Sequence, residues 1–470
     1  MTKKIAFLVS IALLALCSCK VGPNYKRPPL NVPDQYRGAP ELTTQPPAGT
    51  SQPLGGEQFA QIKWWAVFQD ATLQALIKEA ITNNYDMKIA AARVLQAKAN
   101  LGITRADQFP QLNGSFGINY LRNTFFPRGP TFDIAALSLS YIVDFWGQYR
   151  RATEGARAIL LATQYGQSVV QVTLISSVAS EYFLLRQYDA QLDYARKTVN
   201  ADKEIVNLTN IKFKGGDSAI TDVYQAQTLL QQAEAEVILL QQLAEQSQNN
   251  ISILLGRNPG SIARGLSLVD QPHLPEVPVG LPSALLQRRP DVRRAEESLV
   301  AANANVGVAK AAFFLQIPLT GAFGAQSTSI TSFLDGPATF WSVGGQLLQP
   351  IFQGGRIRSG YRLAWAQRDQ AELIYKQTVL QAFGDVSNSL IGYSQSRQYR
   401  MKIEEQTKTY GEMARLANVR FQGGVTGFLE VQYYEQQYFL SGLNLSQAWY
   451  TELQNYVQLY QALGGGWEQQ

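Results

Sequence analysis

Two cysteines and one histidine are all that this 470-residue chain offers for thiol, imidazole or metal chemistry. Both cysteines, Cys17 and Cys19, lie in the first twenty residues, so the remainder has no disulfide and no nucleophilic thiol. The histidine, His273, sits in a linker with Pro272, Pro275 and Pro278, where a surface position is expected. Without a second histidine, Cys–His pairs, Ser-His-Asp triads and zinc sites are unsupported. No glycine-rich stretch reads as a Walker A loop. The chain is therefore expected to be no enzyme, with no catalytic residue, no metal and no cofactor. Charge of one sign is also scarce. The net charge of +5 falls to +3 once Lys3 and Lys4 leave with a leader, too little to argue for nucleic acid. Proline is missing from residues 131–258 and 351–470. Runs of that length predict very long helices. Residues 151–213 as one helix would reach about 95 Å.

What is present begins with the leader. Lys3 and Lys4 precede an apolar run from Ile5 to Leu16, long enough for a signal peptide and too short to span a bilayer as a helix. The sequence Leu16-Cys17-Ser18-Cys19 resembles a bacterial lipobox, with Cys19 the lipidated residue because the small Ser18 precedes it. Lys20, in place of the aspartate that retains lipoproteins at the inner membrane, directs the chain to the outer membrane. Residues 1–18 are thus a signal peptide and 19–60 a lipidated, extended tether. Eight of the 20 prolines fall within 20–60. A mean hydropathy of −0.14 is not that of a helical membrane protein.

The body of the chain is written twice. Phe213, Gly215, Gly216 and Val223 reappear as Phe421, Gly423, Gly424 and Val431, each 208 residues on. Ala106, Phe109, Gln111 and Leu112 match Ala311, Phe314, Gln316 and Ile317, each 205 on. Such a period is far beyond solenoid repeats and marks two copies of one large unit, 61–260 and 261–470. Within the first, Val223, Leu230, Val237, Ala244 and Ile251 run seven apart beside Ala226, Ala233, Leu240, Ser247 and Leu254, a coiled-coil seam. A plain helical-bundle core would give the same heptad.

Between the long helices the period changes to two. Leu112, Gly114, Phe116, Ile118 and Tyr120 alternate with Asn113, Ser115, Gly117 and Asn119; after a loop at 123–130, Leu137, Leu139, Tyr141 and Val143 alternate with Ala136, Ser138, Ser140 and Ile142. The second copy repeats this with Ile317, Leu319, Gly321 and Phe323, then Trp341, Val343 and Leu347. Two β-hairpins, 111–145 and 315–350, follow. Their strands are long enough to cross a membrane when tilted. Tyr120, Phe125, Phe126, Phe145, Trp146, Phe340, Trp341 and Phe352 crowd the ends, as in interfacial girdles. A small soluble sheet would fit the pattern alone; the envelope-directed leader and the small polar face favour a barrel. Four strands cannot close a barrel, and open edges are not tolerated in lipid. Two chains would give eight strands and a lumen filled by side chains. Three chains give twelve and a pore. The expected fold class is mixed α and β: a duplicated long-helix α-barrel with hairpins shared in a trimeric twelve-stranded β-barrel.

With these elements placed, the chain resembles the TolC-type outer-membrane efflux proteins, lipoprotein branch. The resemblance rests on Cys19-Lys20-Val21-Gly22-Pro23-Asn24-Tyr25-Lys26-Arg27-Pro28, on 280–293 (GLPSALLQRRPDVR), on Leu348, Pro350, Ile351 and Phe352 with Gly354-Gly355-Arg356, and on Tyr460 to Trp467. It implies a homotrimeric passive channel in the cell outer membrane, anchored in lipid at Cys19, with a long periplasmic extension. The implied partners are a periplasmic adaptor (membrane fusion protein) and an inner-membrane pump of the resistance-nodulation-division type. One departure is Phe314-Leu315 where the first copy has Phe109-Pro110, with proline arriving at Pro318.

The family closes its periplasmic end near the tip that follows Gly-Gly. By position that region holds Thr221 and Asp222 in the first copy and Thr426 and Glu430 in the second. Some members carry a base near Thr426 that bridges to an acid matching Asp222; threonine cannot, so closure is expected to use hydrogen bonds or the packing of Phe421 and Phe428. Solvated acids at a helix start would read alike. Gly215-Gly216 and Gly423-Gly424 are read as tight turns between antiparallel helices, compatible with adaptor contact. The competing function is a non-conducting, lipid-anchored periplasmic coiled-coil scaffold. The aromatic-capped hairpins discriminate, since a scaffold does not need them.

Overall fold

The computed structural model describes residues 20–33, 35–37, 67–120, 131–271, 282–327 and 338–465. Cys19, most of the tether, His273, Phe125, Phe126, Gly280, Leu281, Gly466 and Trp467 lie outside the described residues. The order of elements is α1 (Ala71–Asn83), α2 (Tyr85–Ala106), β1 (Gln111–Tyr120), β2 (Thr131–Ile142), α3 (Gln148–Gly215) and α4 (Ile220–Leu254). The second copy follows with α5 (Pro282–Arg288), α6 (Pro290–Ala311), β3 (Pro318–Ser327), β4 (Thr339–Gly345), α7 (Arg356–Gln422) and α8 (Phe428–Ala462). The longest helices, α3 and α7, lie within the proline-free runs and have 68 and 67 residues.

The chain forms two compact units, and they cut across the copies. One unit gathers residues up to 30, 92–164 and 294–377; the other gathers 31–91, 165–293 and 378–470. Each thus takes matching segments from both copies.

The first unit holds a four-stranded antiparallel sheet in the order β1-β2-β3-β4. The central pairing joins the two copies, with Leu137 opposite Phe323 and Leu139 opposite Gly321. β4 is only seven residues long, shorter than the expected membrane-crossing strand. The reason is Pro318, which has no N–H to donate. The ladder skips there and resumes where Gln316 and Leu348 exchange two 2.9 Å backbone hydrogen bonds. The Phe314-Leu315 departure leaves the turn before the strand unchanged, while Pro318 delays the regular ladder by two residues relative to the first copy. Phe109 donates its N–H to the Ala106 carbonyl at 3.0 Å, and Phe314 donates to Ala311 at 3.1 Å.

The N-terminal strap is fastened to the same unit. The N–H of Val21 donates to the Trp146 carbonyl at 3.1 Å. Arg151, 1% exposed, donates to Asn24 Oδ1 at 2.7 Å, and Arg27 forks onto Glu296 at 2.7 and 2.5 Å. Gly22, at φ +99°, passes so near Gly307 that a Cβ would stand 2.5 Å from its Cα. No side chain fits that crossing.

In the second unit Asp70 caps α1, accepting from the N–H of Thr72 at 2.8 Å and of Leu73 at 3.3 Å. It also accepts from the Tyr182 hydroxyl at 2.8 Å, the Leu266 N–H at 3.0 Å and Gln271 at 3.2 Å. Burial opposes its charge, but these bonds outweigh burial and hold the carboxyl below its usual range. Arg289, in the internal signature, reaches Asp291, Asp385 at 2.9 Å and the Ala462 carbonyl at 3.3 Å, tying down the end of α8. The expected seam on α4 buries Ala226, Ala233, Leu240 and Ser247 along one row and Val223, Ala244 and Ile251 along the other. An apolar window in α3 is long enough to cross a bilayer, but Ile175, Val178, Ala179 and Tyr182 are buried against protein there.

Candidate functional site

The sheet has two chemically distinct faces. The register places Leu112, Phe116 and Ile118 beside Leu139, Ala135 and Asp133, and Phe323 beside Trp341. Among the described residues this largely apolar row is open at Phe116, 65% exposed, Trp341, 76%, and Val343, 83%, and is closed at its one acid, Asp133, 6% exposed. An uncovered apolar sheet face is stable in lipid and a liability in water. The opposite face carries Asn113, Ser115, Ser138, Thr320, Gln326 and Ser342, uncharged and mostly small. Phe340 stands in that polar row beside Ser342, so it does not join the apolar girdle. Trp146 stacks on Phe314 at 4.6 Å and donates its indole N–H to the Leu315 carbonyl at 2.9 Å, while Ile351 and Phe352 are exposed. The Tyr120 side chain lies outside the described residues.

The other candidate region is the pair of Gly-Gly turns, both in the second unit. Each closes its helix in the same way. The N–H of Asp217 donates to the Lys212 carbonyl at 2.9 Å and that of Gly216 to Phe213 at 3.1 Å. In the second copy Val425 donates to Arg420 at 2.9 Å and Gly424 to Phe421 at 3.1 Å. This is a Schellman closure, and it demands a left-handed residue. Gly216 and Gly424 supply it at φ +82° and +73°. Gly215 and Gly423 have no such requirement and remain within ordinary backbone space.

The acids are held locally. Asp222 accepts the hydroxyl of Ser218 and, at 3.3 Å, the N–H of Ala219, completing the first turn of α4. Glu430 accepts the hydroxyl of Thr426 and, at 2.8 Å, the guanidinium of Arg420. Thr426 therefore serves its own turn and does not reach Asp222. Thr221 is exposed. Arg420 offsets the charge on Glu430, whereas no ion pair reaches Asp222 among the described residues. Phe421 and Phe428 meet edge to face at 5.5 Å and are 4% and 1% exposed, packed on Ile205, Ala226 and Leu229 of the first hairpin. Their first-copy counterparts, Phe213 and Ile220, are exposed.

Lys212 joins the two turns. Its ammonium donates to the Phe421 carbonyl at 2.6 Å and lies 4.4 Å from the centre of the Phe421 ring. The carbonyl belongs to the last turn of α7, where helix carbonyls lack intrahelical partners and attract cations. Sequence reasoning missed Lys212, Arg420 and Ser218. The 208-residue repeat contained the signal, since it aligns Lys212 with Arg420 and Ser218 with Thr426. Among the described residues no group of three or more His, Cys, Asp or Glu side chains is placed to hold a metal ion.

Comparison with known proteins places the fold among efflux channels. The model of the outer membrane efflux protein family matches residues 76–257 and 281–465. The solvent efflux pump outer membrane protein SrpC of Pseudomonas putida is 32% identical over 476 residues, covering 99% of each chain. The cation efflux system protein CusC of Escherichia coli O6:H1 is 29% identical over 459 residues, covering 97% of each. The open state of the Neisseria gonorrhoeae MtrE outer membrane channel superposes with a TM-score of 0.85 at 26% identity, over 96% of this chain and 99% of that one, and a CusC crystal structure with a TM-score of 0.84 at 28% identity, over 95% and 100%.

Proposed function

The chain belongs to the outer membrane efflux protein family, and on that premise we propose that its two Gly-Gly turns form the periplasmic gate of the channel. The protein is an outer-membrane channel of a tripartite efflux system. It is a homotrimer that works with a periplasmic adaptor and an inner-membrane pump. Twelve strands, four from each of three chains, close the barrel. The observation that carries the conduit is the sheet itself. Among the described residues β1 and β4 each have an unpaired edge, one face is largely apolar and exposed, and the other is uncharged and mostly small. Lipid requires the edges to be satisfied, and neighbouring copies are the partners that satisfy them. A lumen lined with neutral hydroxyls and amides neither traps nor repels a charged solute strongly, which suits passage driven from below.

At the gate, Phe421 and Phe428 supply the packing and Lys212 the polar tie between hairpins. Asp222 and Glu430 shape the two turns from within, and Arg420 keeps three copies of Glu430 from facing one another as bare carboxylates. Gly215, Gly216, Gly423 and Gly424 give a blunt end suited to adaptor contact. Cys19 carries the lipid, and the clamped strap beginning at Lys20 holds that anchor against the sheet-bearing unit. The pump is of the resistance-nodulation-division type, and the cargo is whatever small molecule it delivers, as solvents, cations and antibiotics are for relatives named after them. The conduit performs no catalysis. Reconstitution in planar bilayers tests the reading: Glu430→Lys and Asp222→Ala change conductance while trimers persist on gels, and unchanged conductance in both variants removes the gate assignment.

A further inference from the structure

The junction between sheet and long helix is built twice, and only one of the two is covered. Trp146 and Arg150 lead from β2 into α3; Phe352 and Arg356, each 206 residues on, lead from β4 into α7. Trp146 has a seat. It is half-buried, stacks on Phe314 at 4.6 Å and donates its indole N–H to the Leu315 carbonyl at 2.9 Å. Phe314 and Leu315 lead into β3, so the first junction rests on the strand entry of the second copy. The strap covers it as well. Val21 donates to the Trp146 carbonyl, and a Cβ on Gly147 would stand 3.1 Å from the Lys20 Cα. Among the described residues the second junction has neither cover. Ile351 is 96% exposed and Phe352 88%, and a Cβ at Gly354 or Gly355 would meet no atom within 4 Å. The strand entry of the first copy is bare too. Phe109, the counterpart of Phe314, is 58% exposed, and Pro110 is exposed beside it. One chain thus holds a finished seat and the two halves of an unfinished one. Those halves adjoin β4 and β1, the opposite edges of the sheet, so they cannot meet within a chain. A second copy placed head to tail brings them together.

We propose that Ile351 and Phe352 of one chain seat on Phe109 and Pro110 of the next, as Trp146 seats on Phe314 and Leu315 within a chain, and that this seat sets the register of β4 against β1 across the seam. The seat rests on the shared barrel described above and names the surface that joins its chains. The register follows from the duplication. Gln111 pairs with Ser140 and Gln316 with Leu348, so Leu348 stands where Ser140 does. Ser140 also pairs with Thr320, whose counterpart 205 residues earlier is Ser115. Leu348 then falls opposite Ser115 of the next chain, and Leu347 opposite Phe116. Leu347 and Phe116 both belong to the apolar row by alternation and are 68% and 65% exposed. A slip of one residue would set Phe116 against the polar face. The two seats are unequal. Phe352 has no N–H to give, so the seam between chains keeps the ring contact and lacks the hydrogen bond that Trp146 makes. It is the weaker seam, and the one at which the barrel comes apart.

The test uses the full-length protein in outer membranes, read on non-reducing gels. Leu347→Cys combined with Phe116→Cys should give disulfide-linked dimers and trimers. Leu347→Cys combined with Ser115→Cys, one residue out of register and on the other face, should not. Unmodified trimers are then heated. Phe352→Ala should dissociate at a lower temperature than wild type. Phe352→Trp, which returns an indole N–H to face the Pro110 carbonyl, should dissociate at a higher one, a gain that bulk alone would not give. Trimers that persist while the two cysteine pairs cross-link alike, or while neither does, overturn the seat and leave the shared barrel standing. So do Phe352→Ala trimers as heat-stable as wild type, or Phe352→Trp trimers that dissociate like Phe352→Ala. A wild-type protein that forms no trimer at all overturns the shared barrel, and the seat with it.

Discussion

Arg420 and Glu430 face each other across the second Gly-Gly turn at 2.8 Å, one in the last turn of α7 and the other in the first turn of α8. Each opposes the partial charge of its own helix end, a base at a C-terminus and an acid at an N-terminus. Their ion pair bridges a turn whose Schellman bonds already fix the backbone. It therefore sets the charge presented at the tip more than the stability of the turn.

Arg420→Ala should leave three unbalanced carboxylates at the tip. The pair is half-exposed, so its loss costs only about 0.5 kcal/mol per protomer. Thermal unfolding should hardly move. Conductance and uptake of a large antibiotic such as vancomycin should change clearly, and a cell with wild-type antibiotic tolerance would count against the pair.

Lys212→Ala removes the tie between the tips. A charged donor on a carbonyl is worth about 1.5–3 kcal/mol when buried, and less at this partly exposed site. Faster amide hydrogen exchange in 421–428 is expected, with exchange near Leu240 unchanged. Lys212→Arg should restore most of the protection.

Gly424→Ala and Gly216→Ala place a Cβ at a left-handed residue and should each cost about 1–2 kcal/mol. Gly423→Ala should cost little, since its backbone is ordinary. Equal losses of melting temperature at Gly423 and Gly424 would contradict the Schellman assignment.

Phe428→Ala empties a site that is 1% exposed and should cost about 3–5 kcal/mol. Ile220→Ala, at the matching but exposed position of the first copy, should cost far less in an isolated subunit. Chemical denaturation of detergent-dispersed monomers would compare the two.

The strands and their faces were legible because side-chain alternation survives in sequence and reads directly as apolar out and polar in. The long helices were legible because nothing in 131–258 or 351–470 could stop them beyond the Gly pairs. The short β4 was not, because the missing N–H of Pro318 acts on a partner strand rather than its own. Phe340 was assigned with the girdle by type, while register places it in the polar row. At the tip, residue type identified Asp222 and Glu430 but not their partners. Arg420 lies ten residues from Glu430, and Lys212 lies 209 residues from the carbonyl it holds, so neither pairing follows from local spacing. The compact units were hidden for the same reason, since each is assembled from segments of both copies.

Single-channel recording of the purified, lipid-inserted trimer tests the central claim most directly. Discrete current steps that are small in the wild type and larger in a Lys212→Ala, Arg420→Ala double variant are the predicted result. Trimers that insert their sheets in the bilayer yet pass no current in either form would contradict the account.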